Sequence, residues 1–213
     1  MTGIVRPLDE EAVLDLFRTS GALLKGHFLL SSGLHSSFYL QCARLLMDPQ
    51  RAALVCATLK AKIEAALPGL VVEQTVAPAM GGVVFGYELA RQLGVRSLFV
   101  EREQGRFAFR RGFAIAPGSP VLLTEDVVTT GGSSRECIAC VEGAGGRVVA
   151  ATCLVDRSGG RADLGVPLVA LATLDLPVYP ADRVPPELAE VPAVKPGSRT
   201  EAGTNRTRDD QTG

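Results

Sequence analysis

The chain has few residues from which to build a metal centre or a disulfide framework. Its 213 residues include five cysteines and only two histidines. Cys137 and Cys140 form a C-x-x-C pattern, which occurs in redox and zinc sites. No second cysteine pair accompanies it, and only His27 and His35 could complete a zinc site. We therefore favour buried, unreactive helix cysteines over a redox or metal site.

Long apolar runs and an excess of one charge are also missing. The longest apolar stretches are short and strand-like, so we expect no transmembrane helix. Residues 1–12 contain no apolar core of the kind that signal peptides have. The formal net charge of −1 gives no electrostatic attraction to nucleic acid or to an anionic membrane. These absences predict a cytoplasmic globular protein with neither a nucleic-acid nor a membrane partner.

The most informative stretch is residues 121–134, VLLTEDVVTTGGSS. An apolar run followed by glycines and hydroxyls predicts a buried strand, a tight turn and the start of a helix. Gly131 and Gly132 allow the backbone to approach a ligand closely. The free N–H groups and partial positive charge of a helix N-terminus suit a phosphate.

An adjacent acidic pair, Glu125 and Asp126, precedes this turn. Carboxylates would repel a phosphate, whereas sugar hydroxyls donate hydrogen bonds to them. A group with hydroxyls at one end and a phosphate at the other is a ribose 5-phosphate. The stretch therefore predicts a site for a phosphorylated ribose.

The remaining segments predict one α/β domain with a full core, since 46% of the residues are hydrophobic. A strand at residues 71–76, a glycine turn at residues 77–82 and a helix at residues 83–93 repeat this order, which indicates repeated β–α units in a parallel sheet. In such a sheet the loops at the carboxyl ends of the strands meet in one crevice. Other elements are expected as helices at residues 9–20 and 48–67 and strands at residues 96–100, 146–156 and 166–171.

The second glycine turn, at Gly81 and Gly82, has two interpretations. It either permits close packing of the helix on the strand, or binds a second phosphate group of the same ligand. Residues 101–112 also have two interpretations. They form either a solvated, charged hairpin or a mobile arm that brings arginines onto a polyanion. Arg157 follows the strand at residues 146–156 and points to the crevice, unless it pairs with Asp156 or Asp163.

Residues 29–40, LLSSGLHSSFYL, predict a β-hairpin. A surface hairpin with a solvated His35 is one interpretation. The other is a hood over the binding site, in which Phe38 and Tyr39 cover a flat ring.

The stretch VLLTEDVVTTGGSS resembles the phosphoribosyl-diphosphate (PRPP) signature of type I phosphoribosyltransferases. The succession of the hood hairpin, APAMGGV, the signature and VDRSGG is similar to the orotate phosphoribosyltransferase family, from about residue 9 to about residue 180. The resemblance implies a mostly parallel sheet flanked by helices, with a small N-terminal hood. It also implies a Mg²⁺-dependent homodimer that joins orotate to PRPP, giving orotidine 5′-monophosphate and diphosphate.

The resemblance implies site residues as well. Glu125 and Asp126 would hold the ribose, Asp126 with a catalytic role; Arg157 would pair with the orotate carboxylate. Arg102 would act in catalysis and meet the diphosphate, in part across the dimer interface. The residues implied for PRPP are Arg102, Glu125, Asp126, Val127, Val128, Thr129, Thr130, Gly131, Gly132, Ser133 and Gly81. Those implied for orotate are Thr129, Arg157, Tyr39 and Ser31, with Leu40 also against the ring. No residue is implied as a direct metal ligand, because PRPP mainly holds the Mg²⁺.

The chain departs from the family pattern in its cations. The family carries lysine in the hood turn, where this chain has Ser31, and in the diphosphate loop, where it has Gly81. The family's mobile catalytic loop is longer and contains lysine and histidine. We hypothesise that Mg²⁺ and the arginines of residues 102–111 supply the missing charge, these being Arg102, Arg106, Arg110 and Arg111.

The chemistry implied is departure of diphosphate through a ribosyl cation, which depends on positioning and electrostatics. A purine phosphoribosyltransferase and a PRPP-sensing regulator remain alternatives; a ribose-phosphate diphosphokinase would need a longer chain. We expect residues 1–45 to form the N-terminal helix and hood, 46–180 the core, 181–195 an end segment and 196–213 a disordered tail.

Overall fold

A six-stranded sheet forms the centre of the chain in a computed structural model that describes residues 7–30 and 32–196. Its order is β5-β4-β3-β6-β7-β8. All neighbouring strands pair in parallel except β5, which runs antiparallel to β4 at one edge. The strands are β3 (Gln74–Pro78), β4 (Arg96–Glu103), β5 (Arg106–Phe109), β6 (Pro120–Val128), β7 (Arg147–Asp156) and β8 (Leu168–Thr173).

Helices cover both faces of this sheet. The helices predicted at residues 9–20 and 48–67 are each capped by an aspartate. A carboxylate oxygen of Asp9 lies 2.9 Å from the backbone nitrogen of Ala12, and one of Asp48 lies 2.9 Å from that of Gln50. The helices are α1 (Glu10–Thr19), α2 (Ala43–Leu46), α3 (Pro49–Ala66), α4 (Gly81–Leu93), α5 (Gly132–Gly143) and α6 (Pro186–Ala189). A single 3₁₀ turn lies at Ala181–Arg183 among the described residues.

The core divides into two layers because alternate side chains of each strand point to opposite faces. Leu122 packs with α1, α3 and α4 on one face, whereas Leu123 packs with α5 on the other. The first six residues of β6 are buried, as expected of a central parallel strand covered on both sides. These features confirm the predicted α/β fold class.

A second, three-stranded antiparallel sheet forms the hood. It contains β1 (Leu23–Leu29), β2 (His35–Leu40) and β9 (Val178–Tyr179) in that order. The hairpin expected at residues 29–40 is present, although its first strand begins earlier, at Leu23. The third strand comes from the other end of the chain, and Val194 also bridges to Phe28 of β1.

The strand expected at residues 71–76 is displaced along the chain. Pairing with both neighbours starts only at Gln74, which lies opposite Arg96 and Val121. Val71 is 68% exposed and therefore cannot be an inner strand residue. The strand instead continues to Pro78, and α4 begins directly at Gly81. The prediction failed because the valines at 71 and 72 favour a strand locally but lie before the sheet.

The structure also bears on the predicted helix cysteines and on the question of a transmembrane helix. Cys137 is buried in α5 and Cys140 is half-buried, and burial raises the pKa of both thiols. No helix in residues 7–30 and 32–196 combines the length and apolarity needed to cross a bilayer. The tail expected after residue 196 lies outside the described residues and stays a prediction.

Gly86 offers a test of the packing between α4 and the sheet. A Cβ at this position would lie 2.6 Å from Oγ1 of Thr124 and 3.2 Å from Cβ of Ala77. We expect Gly86→Ala to lower the free energy of unfolding by about 1–3 kcal/mol through overpacking. A Cβ on the helical Gly143 would meet no atom within 4 Å, so Gly143→Ala should raise stability by about 0.5–1 kcal/mol. Urea unfolding measures both, and equal effects of the two substitutions would contradict the packing.

Candidate functional site

A cavity of about 990 Å³ lies between the hood and the carboxyl ends of β6 and β7. It is where the topology of an open parallel sheet places a ligand site. Most of the PRPP residues implied by the sequence line it, together with Tyr39, Leu40 and Arg157. The signature residues in its wall are Glu125, Asp126, Val127, Val128, Thr129, Thr130, Gly131, Gly132 and Ser133.

The turn after β6 forms one end of this cavity. Gly131 has φ +75°, and a Cβ there would lie 2.5 Å from Cδ2 of Leu164. Glycine is therefore required both by conformation and by space. Gly132 begins α5, and no side chain caps this helix. Its first N–H groups remain available to an anion beside the exposed hydroxyls of Thr129, Thr130 and Ser133.

The acidic pair lies at the other end of the turn. Glu125 is 8% exposed, and Oγ of Ser134 lies 3.5 Å from its Oε2. Burial, then the neighbouring Asp126, raises the pKa of Glu125 to about 8. Burial also raises the pKa of Asp126, whose Oδ1 accepts the backbone N–H of Val127 at 3.0 Å. The pair therefore holds a proton near neutral pH and carries less than two negative charges.

The second glycine turn meets this acidic pair. A Cβ built on Gly81 would lie 2.7 Å from Cγ of Asp126, so the position excludes a side chain. A Cβ on Gly82 would lie 3.0 Å from the carbonyl oxygen of Thr124, which accounts for the packing interpretation. The peptide bond between Ala79 and Met80 is cis. Gly81 adjoins the cavity through Asp126 without lining it.

Arg157 is a buried cation without a carboxylate partner in the described part of the chain. It is 8% exposed, and its Nη2 donates to Oγ of Ser36 at 3.1 Å. Its Nε has no hydrogen-bond acceptor among the described residues. The alternative pairings with aspartate are not formed, because Asp156 accepts the N–H groups of Ser158 and Gly160 and Asp163 accepts that of Gly165. Burial lowers the pKa of Arg157, since its charge is poorly solvated.

Tyr39 forms the hood side of the cavity. Its ring packs on Phe28 with centroids 5.6 Å apart. Burial, followed by the charge of Asp126, raises the pKa of its phenol. Leu40 lies beside it, which agrees with a flat apolar surface for a ring. Ser31, also implied for the base, lies outside the described residues.

The arginine-rich segment forms the β4–β5 hairpin and does not line the cavity of a single chain. Nη1 of Arg102 lies 2.9 Å from Oε2 of Glu136, and its guanidinium stacks over Phe107 at 4.2 Å. Arg111 pairs with Glu101 through two bonds of 2.9 Å. The solvated-hairpin interpretation therefore describes this segment in the isolated chain. The structure does not bring Arg102 to the acidic pair.

The structure adds residues that the sequence did not nominate. Arg161 and Asp175 line the cavity and pair at 3.1 Å. Ser36 is completely buried and bonded to Arg157. His35 is half-buried, and its Nδ1 lies 2.6 Å from Nε2 of His27. The two-residue alternation of side chains in a strand over residues 35–40 (HSSFYL) could have indicated that Ser36 points inward. No neighbouring residue indicates that Arg157 is its partner.

Comparisons with known proteins agree with this geometry. The phosphoribosyl transferase domain family matches residues 74–166. An orotate phosphoribosyltransferase of Methylobacterium sp. is 58% identical over 188 residues, or 88% of this chain and 95% of that protein. One of Caulobacter vibrioides is 56% identical over 192 residues, or 90% and 98% of the two chains.

Solved structures share the fold. The crystal structure of orotate phosphoribosyltransferase from Aeropyrum pernix has a TM-score of 0.62 and 30% identity, covering 76% of this chain and 94% of that one. A crystal structure of adenine phosphoribosyltransferase has a TM-score of 0.60 at 21% identity, covering 75% and 98%. The fold is thus common to enzymes named for different bases.

The buried acid predicts a pH dependence of stability. The pKa of Glu125 is about 8 in the folded chain and near its ordinary value of 4.5 when unfolded. Unfolding between these values releases a proton, so raising the pH favours the unfolded state. From pH 5.5 to 8, we expect the wild type to lose about 3 kcal/mol relative to Glu125→Gln in urea unfolding. Glu142→Gln, on the exposed side of α5, should keep the wild-type profile. Parallel profiles for wild type and Glu125→Gln would contradict the raised pKa.

Proposed function

The chain belongs to the orotate phosphoribosyltransferase family, and on that premise we propose that it transfers the 5-phosphoribosyl group of PRPP to N1 of orotate. The products are orotidine 5′-monophosphate and diphosphate, in pyrimidine biosynthesis. The observation that carries the proposal is Arg157, a buried cation in the cavity wall with no carboxylate partner in the described residues. A buried charge of this kind requires an anion, and the carboxylate of orotate supplies one.

The opposite end of the cavity fits PRPP. The N-terminus of α5 and the hydroxyls of Thr129, Thr130 and Ser133 would bind the 5′-phosphate. Asp126, with Glu125 behind it, would accept hydrogen bonds from the ribose hydroxyls. The negative charge on Asp126 would also stabilise the positive charge that develops at C1 as the bond to diphosphate breaks.

Mg²⁺ is a proposed cofactor held mainly by PRPP. No cluster of three or more histidine, cysteine, aspartate or glutamate side chains suited to a metal occurs within residues 7–30 and 32–196. Mg²⁺ commonly takes most of its ligands from the phosphate oxygens of a substrate, and PRPP would hold it in that way. When bound, it would neutralise charge on the departing diphosphate.

Orotate is already an anion, so the chain need not supply a general base. Tyr39 and Leu40 would hold the ring against the hood, and Arg157 would fix its carboxylate. The chain's contribution is then orientation of two substrates and exclusion of water beneath the hood. We place the reaction in the cytoplasm, which agrees with five free cysteines.

A second copy of the chain is the proposed partner. Met80, Val84 and Tyr87 are 79%, 53% and 65% exposed and follow the helical repeat on one side of α4. Such an apolar stripe beside the diphosphate turn supports an interface between two copies. In a symmetric dimer, Arg102 of one copy would meet the diphosphate bound by the other.

Substitution of Arg157 tests the substrate. We expect Arg157→Ala to lower kcat/KM for orotate by about 100-fold or more, because the carboxylate loses its buried charged partner. The KM for PRPP should stay near that of the wild type, and Arg157→Lys should fall between the two.

The assay is the loss of orotate absorbance after addition of PRPP and Mg²⁺ to the wild type and variants. No loss with orotate, together with turnover of adenine, guanine or xanthine, would replace orotate by a purine. Binding of PRPP without turnover of any base would favour a regulator over an enzyme.

Hybrid dimers test the role of Arg102 and the dimer together. We expect Arg102→Ala and Arg157→Ala each to be nearly inactive. If Arg102 acts across the interface, random exchange of the two variants creates one intact site per hybrid, and activity returns to about a quarter of the wild type. Glu103→Ala, at an exposed position of the same hairpin, is the control and should remain active. No recovery on mixing would place Arg102 in its own site, or outside catalysis altogether if Arg102→Ala alone is fully active.

A further inference from the structure

Ser36 is a completely buried hydroxyl that joins three separate parts of the chain beside the cavity. Its Oγ donates to the carbonyl oxygen of Pro177 at 3.0 Å. It accepts the backbone N–H of Phe38 at 3.2 Å and Nη2 of Arg157 at 3.1 Å. A hydroxyl has one proton to donate and two lone pairs. Every hydrogen-bonding position of Ser36 is therefore occupied, and the direction of each bond is fixed.

This arrangement ties Arg157 to the hood at one point. An arginine side chain has many rotamers, and ordering them costs free energy whenever a ligand binds. Here the cost is met during folding, because β2 and the segment before β9 hold the hydroxyl that accepts Nη2. The guanidinium is thus oriented before a substrate arrives.

The hydroxyl of Ser36, which accepts the hydrogen bond of Arg157, is neutral. A carboxylate at this position would form an ion pair with Arg157 and compete with an anionic substrate. A serine hydroxyl orients the guanidinium and leaves its positive charge uncompensated. Within the described residues, no aspartate or glutamate forms an ion pair with Arg157.

We propose that Ser36 is a positioning residue that aims Arg157 at the carboxylate of orotate. The inference rests on the proposed function and adds a specificity determinant to it. Ser36 acts through Arg157 and contacts no substrate. It makes the site selective for orotate because the oriented charge is useful only to a base that carries a carboxylate.

The test is the steady-state kinetics of Ser36→Ala. We expect the KM for orotate to rise about tenfold, in keeping with the loss of one hydrogen bond to a charged group. The kcat and the KM for PRPP should change by less than about twofold, because the PRPP end of the cavity does not touch Ser36. In the Arg157→Ala background, Ser36→Ala should have no further effect on the KM for orotate.

Two variants act as controls. Ser36→Thr keeps the hydroxyl and should bring the KM for orotate back near the wild-type value. Ser37→Ala removes the neighbouring hydroxyl, which is half-buried and takes part in no hydrogen bond within the described chain, and should leave all constants unchanged. Thermal unfolding of each variant measures the separate structural contribution of the bonds to Pro177 and Phe38.

The outcomes separate the possibilities. Equal increases in both KM values, or an effect of Ser36→Ala that persists without Arg157, would reduce Ser36 to a structural role and overturn the proposal. If Ser36→Ala does not fold, Ser36→Cys takes its place: a raised KM for orotate supports the proposal, and an unchanged one overturns it. Failure of the wild type to use orotate would overturn the proposed function itself, whereas an active wild type with an unaffected Ser36→Ala would overturn this inference alone.

Discussion

The parallel pairing of β6 with β7 is the constraint on which the site depends. It places Val128 opposite Asp156, and the N–H of Arg157 donates to the carbonyl oxygen of Val128 at 2.8 Å. The two strands therefore end at the same level of the sheet. The glycine turn leaves one strand and Arg157 leaves the other, so the groups proposed to bind two different substrates start from adjacent backbone positions.

Folding leaves the charged groups of the cavity poorly solvated and without full compensation by opposite charges. Glu125 and Asp126 are crowded and desolvated, and Arg157 is desolvated without a counterion in the described residues. Each arrangement costs stability in the empty protein. In the proposed function, these costs would be reduced when ribose hydroxyls reach the acids and a carboxylate reaches the arginine. The cavity would then bind most tightly those ligands that carry both features.

The parts of the site that the sequence predicts are those encoded within a few residues of each other. The acidic pair, the glycine turn and the start of α5 lie in one stretch, so local chemistry was enough to predict that they lie together at the cavity. The bond between Ser36 and Arg157 spans 121 positions and has no local signal. The start of β3 was wrong for a related reason, since the partners of Gln74 on neighbouring strands, and not the valines before it, decide where pairing begins. The proposed approach of Arg102 to the diphosphate requires a second chain, and one sequence gives no position for that chain.

The hood draws its third strand, β9, from residues 178 and 179, and Val194 bridges back to Phe28. On a ribosome, the first two hood strands leave the exit tunnel long before the third has been made. A nascent chain that ends after α5 already contains the turn proposed for the phosphate. It does not yet contain Pro177, whose carbonyl oxygen accepts the hydrogen bond of Ser36. The proposed pocket for the base, although its first two strands are encoded early, is therefore completed last.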